Sequence, residues 1–393
     1  MFPRRILADI ERRLDSREII VITGMRRVGK TTLLQMLFDK VTSGNKVFLD
    51  LENLINQRIF EEIDYNNVWN NLKPFGITKE SKAYLFLDEI QVFPGIVKVI
   101  KYLFDHYDVK FFLSGSSSYY LKNLFPESLA GRKFVFEMFP LDFEEFLIFK
   151  GVDQPKFGSF KDKEKGRNFV TFEKRKSLFD EFLFYGGFPQ VALTGDEDQK
   201  KARLNDIFTS YIEKDVKSLA DFRQLNVLRD LILLLFQRIG SKLDISKLAS
   251  TLSTSRPTIY SYLNFLEQTY FISLISPYSK NVDREISGAK KVYACDTGFV
   301  NLFARVDVGN LLENAVYNCI RHQGKVNYFQ KRTGAEIDFI LPERSIALEV
   351  KTKTDMKDIE KLHELAAKID LAESYVISKD FVDFKNVISV VDL

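Results

Sequence analysis

Gly24-Met-Arg-Arg-Val-Gly29-Lys30-Thr31-Thr32 follows an apolar, β-branched run, Glu18 to Thr23, and opens a helical stretch from about Lys30 to Asp39. Its spacing, G-x-x-x-x-G-K-[ST], is that of a loop which wraps phosphate between a strand and a helix. Gly24 and Gly29 let the backbone curl. Successive N–H groups then make an anion nest, and the helix start adds its positive end. Lys30 reaches the β- and γ-phosphates, and Thr31 offers a hydroxyl to Mg²⁺. The predicted nucleotide-binding set is Gly24, Arg26, Arg27, Val28, Gly29, Lys30, Thr31, Thr32 and Ser114, with ATP or ADP as ligand.

Around this loop, strands and helices alternate. Lys46 to Leu51, Tyr84 to Leu87 and Lys110 to Leu113 are short apolar runs separated by helical stretches. Near-continuous apolar strands of this kind predict an α/β fold, a parallel sheet covered on both faces. Tyr84-Leu-Phe-Leu-Asp88-Glu89 ends in two acids at the carboxyl end of a strand, where open α/β sheets bind ligands. Asp88 is read as holding Mg²⁺ through water, and Glu89 as the general base for the attacking water. Ser114-Gly-Ser116-Ser117 ends the next strand, where a hydroxyl can sense the γ-phosphate; an ordinary turn is the alternative. Arg132 is an arginine-finger candidate, with a plain surface arginine as its rival.

These residues together resemble the AAA+ ATPases with the additional-strand P-loop core. More closely, the chain is similar to a bacterial and archaeal family of AAA-type ATPases with a C-terminal domain of unknown function. GMRRVGKTT (24–32), LFLDEIQ (85–91), LSGSSS (113–118), SLAGR (128–132) and YGGFP (185–189) carry the resemblance, with the strands EIDFIL and ALEVK. The family implies nucleotide binding. YGGFP suggests no chemistry and reads as a turn in a helical lid. The expected organisation is a P-loop AAA+ core over 1–138, a helical lid over 139–215, a helical and winged-helix domain over 216–305, and a nuclease-like α/β domain over 306–393.

The winged-helix expectation rests on Ile245 to Leu252, a short amphipathic helix, then a Ser253-Thr-Ser turn in which Ser255 can cap a second helix with Pro257 in its first turn. Ile259, Leu263 and Leu266 give that helix an apolar stripe, and Phe271 to Ile275 supplies a wing strand. Arg256, Thr258, Tyr260, Ser261 and Asn264 are the residues that would face DNA. The second helix is not strongly basic, so a module that packs on protein is the equal alternative.

Further on, Ala335 to Leu341 and Ile346 to Lys351 read as strands joined at Glu343-Arg344. Alternation puts Ile337, Phe339 and Leu341 with Ile346, Leu348 and Val350 on one face, and Asp338, Glu349 and Lys351 on the other. A two-residue loop sets Asp338 opposite Glu349, a like-charge pairing that costs up to ~1 kcal/mol unless a cation offsets it. Glu313 lies near the start of the preceding helix, Leu311 to Gln323. The order helix, three strands, helix, two strands resembles the PD-(D/E)xK nuclease fold. That resemblance implies Asp338 and Glu349 as ligands of Mg²⁺, with Mn²⁺ as an alternative, Glu313 at the metal or its water, and Lys351 placing the nucleophilic water. Ile337 stands where the family name has Pro. The predicted catalytic set is thus Glu89, Arg132, Asp338, Glu349 and Lys351, and the metal set Thr31, Asp88, Glu313, Asp338 and Glu349.

Composition bounds these readings. The 393 residues carry 57 Lys and Arg against 54 Asp and Glu, a net +3 that neither demands nor excludes nucleic acid. With 36 Phe the chain can build large cores. Two cysteines, Cys295 and Cys319, make no disulfide framework, and three scattered histidines leave any metal to carboxylates. No apolar run approaches the ~18 residues of a membrane span, and the start has no signal-peptide core, so the expected setting is a reducing cytoplasm without membrane. The stretch Lys150 to Lys176, with nine basic and four acidic residues, reads as a solvated insertion. Two functions follow as expectations. One is an ATP-hydrolysing protein that acts on DNA with a metal-dependent nuclease-like domain. The other is a nucleotide-gated switch whose C-terminal domains hold a protein partner. A trans arginine finger would require a homo-oligomer.

Overall fold

The computed structural model describes residues 2–116, 131–153, 157–216, 225–331 and 334–393. The chain divides into two compact units, 1–139 with 268–270, and 140–267 with 271–393. Among the described residues no helix is long and apolar enough to cross a membrane.

The first unit is built on five parallel strands: β1 (Ile19–Gly24), β2 (Lys46–Asp50), β3 (Ala83–Asp88), β4 (Val109–Gly115) and β5 (Lys133–Met138), in the order β2-β3-β4-β1-β5. β1 and β4 are buried along their whole length, because helices cover both faces of the sheet. Phe86 and Phe112 stack with centroids 4.4 Å apart, and the helix Lys30–Lys40 packs Phe38 edge-on against Phe86. The other face buries Trp69, Ile100 and Leu103 against Leu85 and Phe111. At ~1.5–3 kcal/mol per buried large apolar side chain, these layers hold the strand ends in place. β4 lies between β1 and β3, so the carboxyl ends of those strands flank Ser114-Gly115. β5 was not among the expected strands. It is an edge strand with half-exposed side chains, and its sequence KFVFEM lacks the continuous apolar run that marks the others.

The second unit begins with helices packed through phenylalanines: Phe143, Phe146, Phe179 and Phe182 form one nest, and Phe208, Phe271, Phe299 and Phe303 another. Ile245–Thr251 and Arg256–Gln268 are two helices joined by a turn, with Ser255 Oγ accepting from Thr258 N–H at 3.2 Å. An antiparallel pair follows, β6 (Ile272–Ile275) and β7 (Lys291–Ala294), and its connection carries the short helix Val282–Ser287.

The helix Val308–Ile320 leads into a five-stranded sheet of β8 (Asn327–Gln330), β9 (Glu336–Leu341), β10 (Ile346–Lys351), β11 (Glu373–Ser378) and β12 (Val387–Ser389), ordered β12-β11-β10-β9-β8. β9 runs antiparallel to both β8 and β10, and β10, β11 and β12 run parallel. The helix Met356–Ala367 covers one face with Ile359, Leu362 and Leu365.

The stretch Lys150 to Lys176 is not a solvated insertion. Its helices Phe160–Lys165 and Phe169–Tyr185 lie against the C-terminal edge of that sheet. Phe160 is buried, Lys163 Nζ donates to Asp392 O at 2.7 Å, Arg167 donates to Val387 O at 2.5 Å, and buried Arg175 pairs with Asp392 at 3.6 Å. Three of its basic residues find partners more than two hundred residues away, while Lys161, Lys165, Lys174 and Lys176 stay exposed.

Candidate nucleotide site and carboxylate centre

The P-loop runs from the carboxyl end of β1 into the helix Lys30–Lys40. Gly24 has φ +154°, and a Cβ there would lie 2.0 Å from Met138 O; Gly29, at φ +99°, precedes the first helical residue. Both positions demand glycine. Lys30 is buried and donates to Gly24 O and Met25 O, each at 3.0 Å, so it closes the loop on itself. From outside, Arg4 donates to Val28 O and Phe139 O, both at 2.7 Å, and pins the loop to the end of β5. Arg4 carries no motif and was not anticipated. Arg26 approaches Glu52 at 4.0 Å, and Arg27 takes a left-handed conformation at φ 66°. Thr32 follows Thr31 in the first turn of the helix.

Asp88 ends β3 in the buried mouth of the sheet, and its carboxylate accepts hydrogen bonds from the Ser114 and Thr31 hydroxyls. Burial pushes its pKa up, with Glu89 adding to the push, while the two hydroxyls and Lys30 pull the other way. A buried carboxylate touching the Thr31 hydroxyl is a donor set that fits Mg²⁺. Glu89 sits at φ 54°, outside the strand conformation, with its N–H donating to Ser114 Oγ at 3.2 Å. Ser114 therefore joins both acids.

Gln91 was missed as a site residue. Its Nε2 donates to the Glu89 carboxylate and, at 2.9 Å, to Ser116 Oγ, and its Oε1 accepts from Ser116 N–H at 3.3 Å. Ser117 and the residues 117–130 lie outside the described residues. Arg132 is not brought to this site. It precedes β5 at the amino ends of the strands, where its carbonyl accepts from Ile19 N–H at 2.8 Å and its guanidinium pairs with Asp105 at 3.2 Å. Five strand residues, ~17 Å, separate that end from the P-loop, so a cis role at this chain's own phosphates is excluded.

In the second unit, β9 and β10 pair in the anticipated register: Ile346 with Leu341, Ala347 with Ile340, Leu348 with Phe339. The ladder stops there. Asp338 Oδ2 accepts from Val350 N–H at 2.8 Å, and Asp338 N–H donates to the Glu349 carboxylate. On its other side, β9 spends three residues where β8 spends two, a bulge. Strict alternation therefore fails. Ile337 joins Ile340 and Ala347 under the helix Met356–Ala367, while Phe339 packs against Tyr293 and Tyr317. The expectation of six apolar residues on a single face is corrected accordingly.

Asp338 stands between two groups of side chains. Glu349 Oε1 pairs with Lys351 Nζ at 2.9 Å, and Glu349 Oε2 is buried with no hydrogen-bond partner. Glu313 Oε1 accepts from Tyr293 OH at 2.6 Å and from Lys291 Nζ at 3.2 Å. Lys291, on β7, is also bonded to Glu336 and lies 4.0 Å from Asp338 Oδ1. Burial pushes Glu313 up to about 8 and Glu349 up to about 7, with Asp338 the next cause for each. Asp338 is likewise raised, chiefly by burial. Burial disfavours the Lys291 ammonium, but Glu313, Asp338 and Glu336 outweigh it and hold its pKa above the ordinary lysine value. Among the described residues no group of three or more His, Cys, Asp or Glu side chains is placed to hold a metal ion. As folded, Lys291 is lodged among Glu313, Glu336 and Asp338, beside the residues expected to hold a metal.

The AAA domain family matches residues 16–147, and two domains of unknown function, DUF8612 and DUF4143, match residues 176–309 and 308–392. The uncharacterized protein MJ1544 of Methanocaldococcus jannaschii is 31% identical over 351 residues, covering 85% of this chain and 74% of that protein. This chain belongs to the same family, and it carries an AAA domain. An uncharacterized protein of Haemophilus influenzae is 27% identical, over 92% of this chain and 88% of its own length. Among solved structures, the Walker-type ATPase of Pyrococcus abyssi is 15% identical and covers 77% of this chain and 96% of its own, with a TM-score of 0.49. The ORC1 protein of Aeropyrum pernix, solved in complex with DNA, is 11% identical over 81% of this chain and 93% of its own, with a TM-score of 0.35.

Within this AAA-domain protein the YGGFP turn acquires a physical reason. Gly186, at φ +76°, would place a Cβ 1.8 Å from Asp296 Oδ1, and a Cβ on Gly187 would meet Leu141 O at 2.1 Å. Gly187 N–H donates to Asp296 Oδ2 at 2.7 Å, and Gly298 N–H donates to Oδ1 at 2.9 Å. The glycines thus let the end of the Phe169–Tyr185 helix close on a buried carboxylate at the start of the helix Thr297–Phe303. Burial raises the Asp296 pKa to about 6, against the pull of those N–H donors and of Arg321.

Proposed function

We propose that this chain binds and hydrolyses ATP and uses the nucleotide state to control how its C-terminal unit holds DNA. The observation that carries the reading is the unbroken hydrogen-bonded chain Thr31–Asp88–Ser114–Glu89–Gln91–Ser116 beside the P-loop. Lys30 leaves the loop carbonyls for the β- and γ-phosphates, and Thr31 with Asp88 would hold Mg²⁺. Bound there, the metal neutralises phosphate charge. Glu89 orients the attacking water as general base, with Gln91 fixing its carboxylate. Arg132, paired with Asp105, would serve only a neighbouring subunit's nucleotide, which requires a homo-oligomer.

The DNA part of the proposal rests on the helix-turn-helix arrangement followed by a β pair, which supports a winged helix. Arg256, Tyr260, Ser261 and Asn264 are exposed on its second helix. The order of elements after Val308 supports a nuclease-like fold, and Lys291 lodged among its carboxylates favours one that grips DNA. A second reading, capture of a protein partner, is favoured by exposed Val282 and Ile286; Ile286 and Tyr260 line the same groove of about 770 Å³.

Fluorescence anisotropy with a labelled duplex, with ATP and with ADP, tests the proposal. DNA gripping predicts nucleotide-dependent binding that falls steeply with salt and weakens in Arg256→Ala and Tyr260→Ala. No binding at low salt in either nucleotide state would exclude DNA and leave the protein-partner reading.

A further inference from the structure

Beyond the nucleotide and DNA readings, the carboxylate centre carries an inference of its own. Lys291 is buried among Glu313, Glu336 and Asp338, in contact with the first two and 4.0 Å from the third. It arrives from β7, an element outside the sheet that supplies Glu336 and Asp338. Its neighbour on β7 two residues on, Tyr293, donates to the same Glu313 oxygen. The second lysine, Lys351, is paired with Glu349. Four clustered carboxylates thus share two ammonium groups of the chain itself. A divalent cation between Asp338 and Glu313 would need the volume and the charge that the Lys291 ammonium already supplies, and two cations so close in a buried setting repel strongly.

We propose that Lys291 is the built-in cation of this centre: its ammonium replaces a divalent metal, makes the carboxylate cluster metal-independent, and ties the β6–β7 pair to the C-terminal sheet. A tethered ammonium has no free-ion concentration to depend on, so the clamp holds in chelator as in metal. It also cannot activate water as a divalent ion does, which leaves a nuclease-like sheet serving as a scaffold.

The test is Mn²⁺ binding by the full chain without nucleotide, followed by electron paramagnetic resonance and calorimetry. The expected result is that wild type and Asp338→Asn are indistinguishable. Lys291→Met should gain a Mn²⁺ site, with affinity up roughly tenfold or more as a competing buried charge is removed, and Lys291→Met/Asp338→Asn should lose it again. Lys291→Arg, which keeps the charge, should stay without the site. A Mn²⁺ site in wild type that Asp338→Asn abolishes would overturn the proposal, as would a folded Lys291→Met variant that gains none. Should Lys291→Met fail to fold, the wild-type and Asp338→Asn comparison decides alone.

Discussion

Gln91 holds Glu89: its side-chain amide donates to the Glu89 carboxylate while anchored at 2.9 Å to Ser116 Oγ on the adjoining strand end. A general base must present its carboxylate in a fixed direction, and this amide supplies the fixing. Glu89→Gln should therefore bind ATP normally and slow hydrolysis by about 10²–10⁴. Gln91→Ala should slow it less, by roughly tenfold, with nucleotide affinity unchanged, because orientation is lost and the base retained. Equal single-turnover rates for wild type and Gln91→Ala would reduce Gln91 to a structural contact.

Lys30 is expected to behave differently. It bonds to Gly24 O and Met25 O. Lys30→Ala should abolish tight ATP binding, measured by equilibrium dialysis. It should also make the loop more open to hydrogen exchange, since two carbonyls lose their buried donor. Unchanged exchange in residues 24–30 would mean that the loop keeps its shape without the lysine.

Arg132 lies at the end of the sheet away from the P-loop and is paired with Asp105. If it acts in trans, turnover per chain should rise with protein concentration as subunits associate, and Arg132→Ala should flatten that rise without weakening ATP binding. Sedimentation of a monomer with full turnover at all concentrations would exclude the trans role.

Much of the nucleotide site was readable because its chemistry is local: Gly24, Gly29, Lys30 and Thr31 are set by spacing alone, and Asp88-Glu89 by the end of an apolar run. Gln91 was not, since its role comes from Ser116 on another strand, and neither was Arg4, whose partners lie 24 and 135 positions away. The C-terminal sheet was readable as far as hairpin register reaches. Beyond Leu348 and Phe339 the bulge at Asp338 breaks the alternation on which a strand reading depends. Lys291 was out of reach for a different reason. Within KVYA it is a polar residue opening a buried strand, and nothing local says that its partners are Glu313 and Glu336.

Gly186, which belongs to neither centre, offers a stability test. Alanine there would combine a left-handed φ with a Cβ 1.8 Å from Asp296 Oδ1. Strain and the displaced buried carboxylate should together cost about 3 kcal/mol or more. Denaturant unfolding of Gly186→Ala should show the second unit losing stability, with ATP binding by the first unit retained. A loss below about 1 kcal/mol would mean that the helix end shifts freely, and that the YGGFP turn does not need its first glycine.

Glu313 gives the second unit a pH dependence whose sign is fixed by its burial. Its folded pKa is up at about 8, from an ordinary value of 4.5, with burial the main cause and Asp338 the next. The folded state therefore keeps a proton that the unfolded chain releases. That contribution is fully present below about pH 4.5 and is lost as pH rises through about 8. Glu349, raised to about 7 by burial and by Asp338, acts in the same direction over an overlapping window, and so does Asp296, raised to about 6. Lys291 opposes none of this below pH 9, because its raised pKa moves its titration further into the alkaline range. Unfolding free energy of the second unit should accordingly fall between pH 5 and pH 8, and Glu313→Gln, which keeps a neutral side chain of the same shape, should fall less steeply. Identical slopes for wild type and Glu313→Gln would show that Glu313 stays ionised, fully compensated by Lys291, and that the proton resides elsewhere in the cluster.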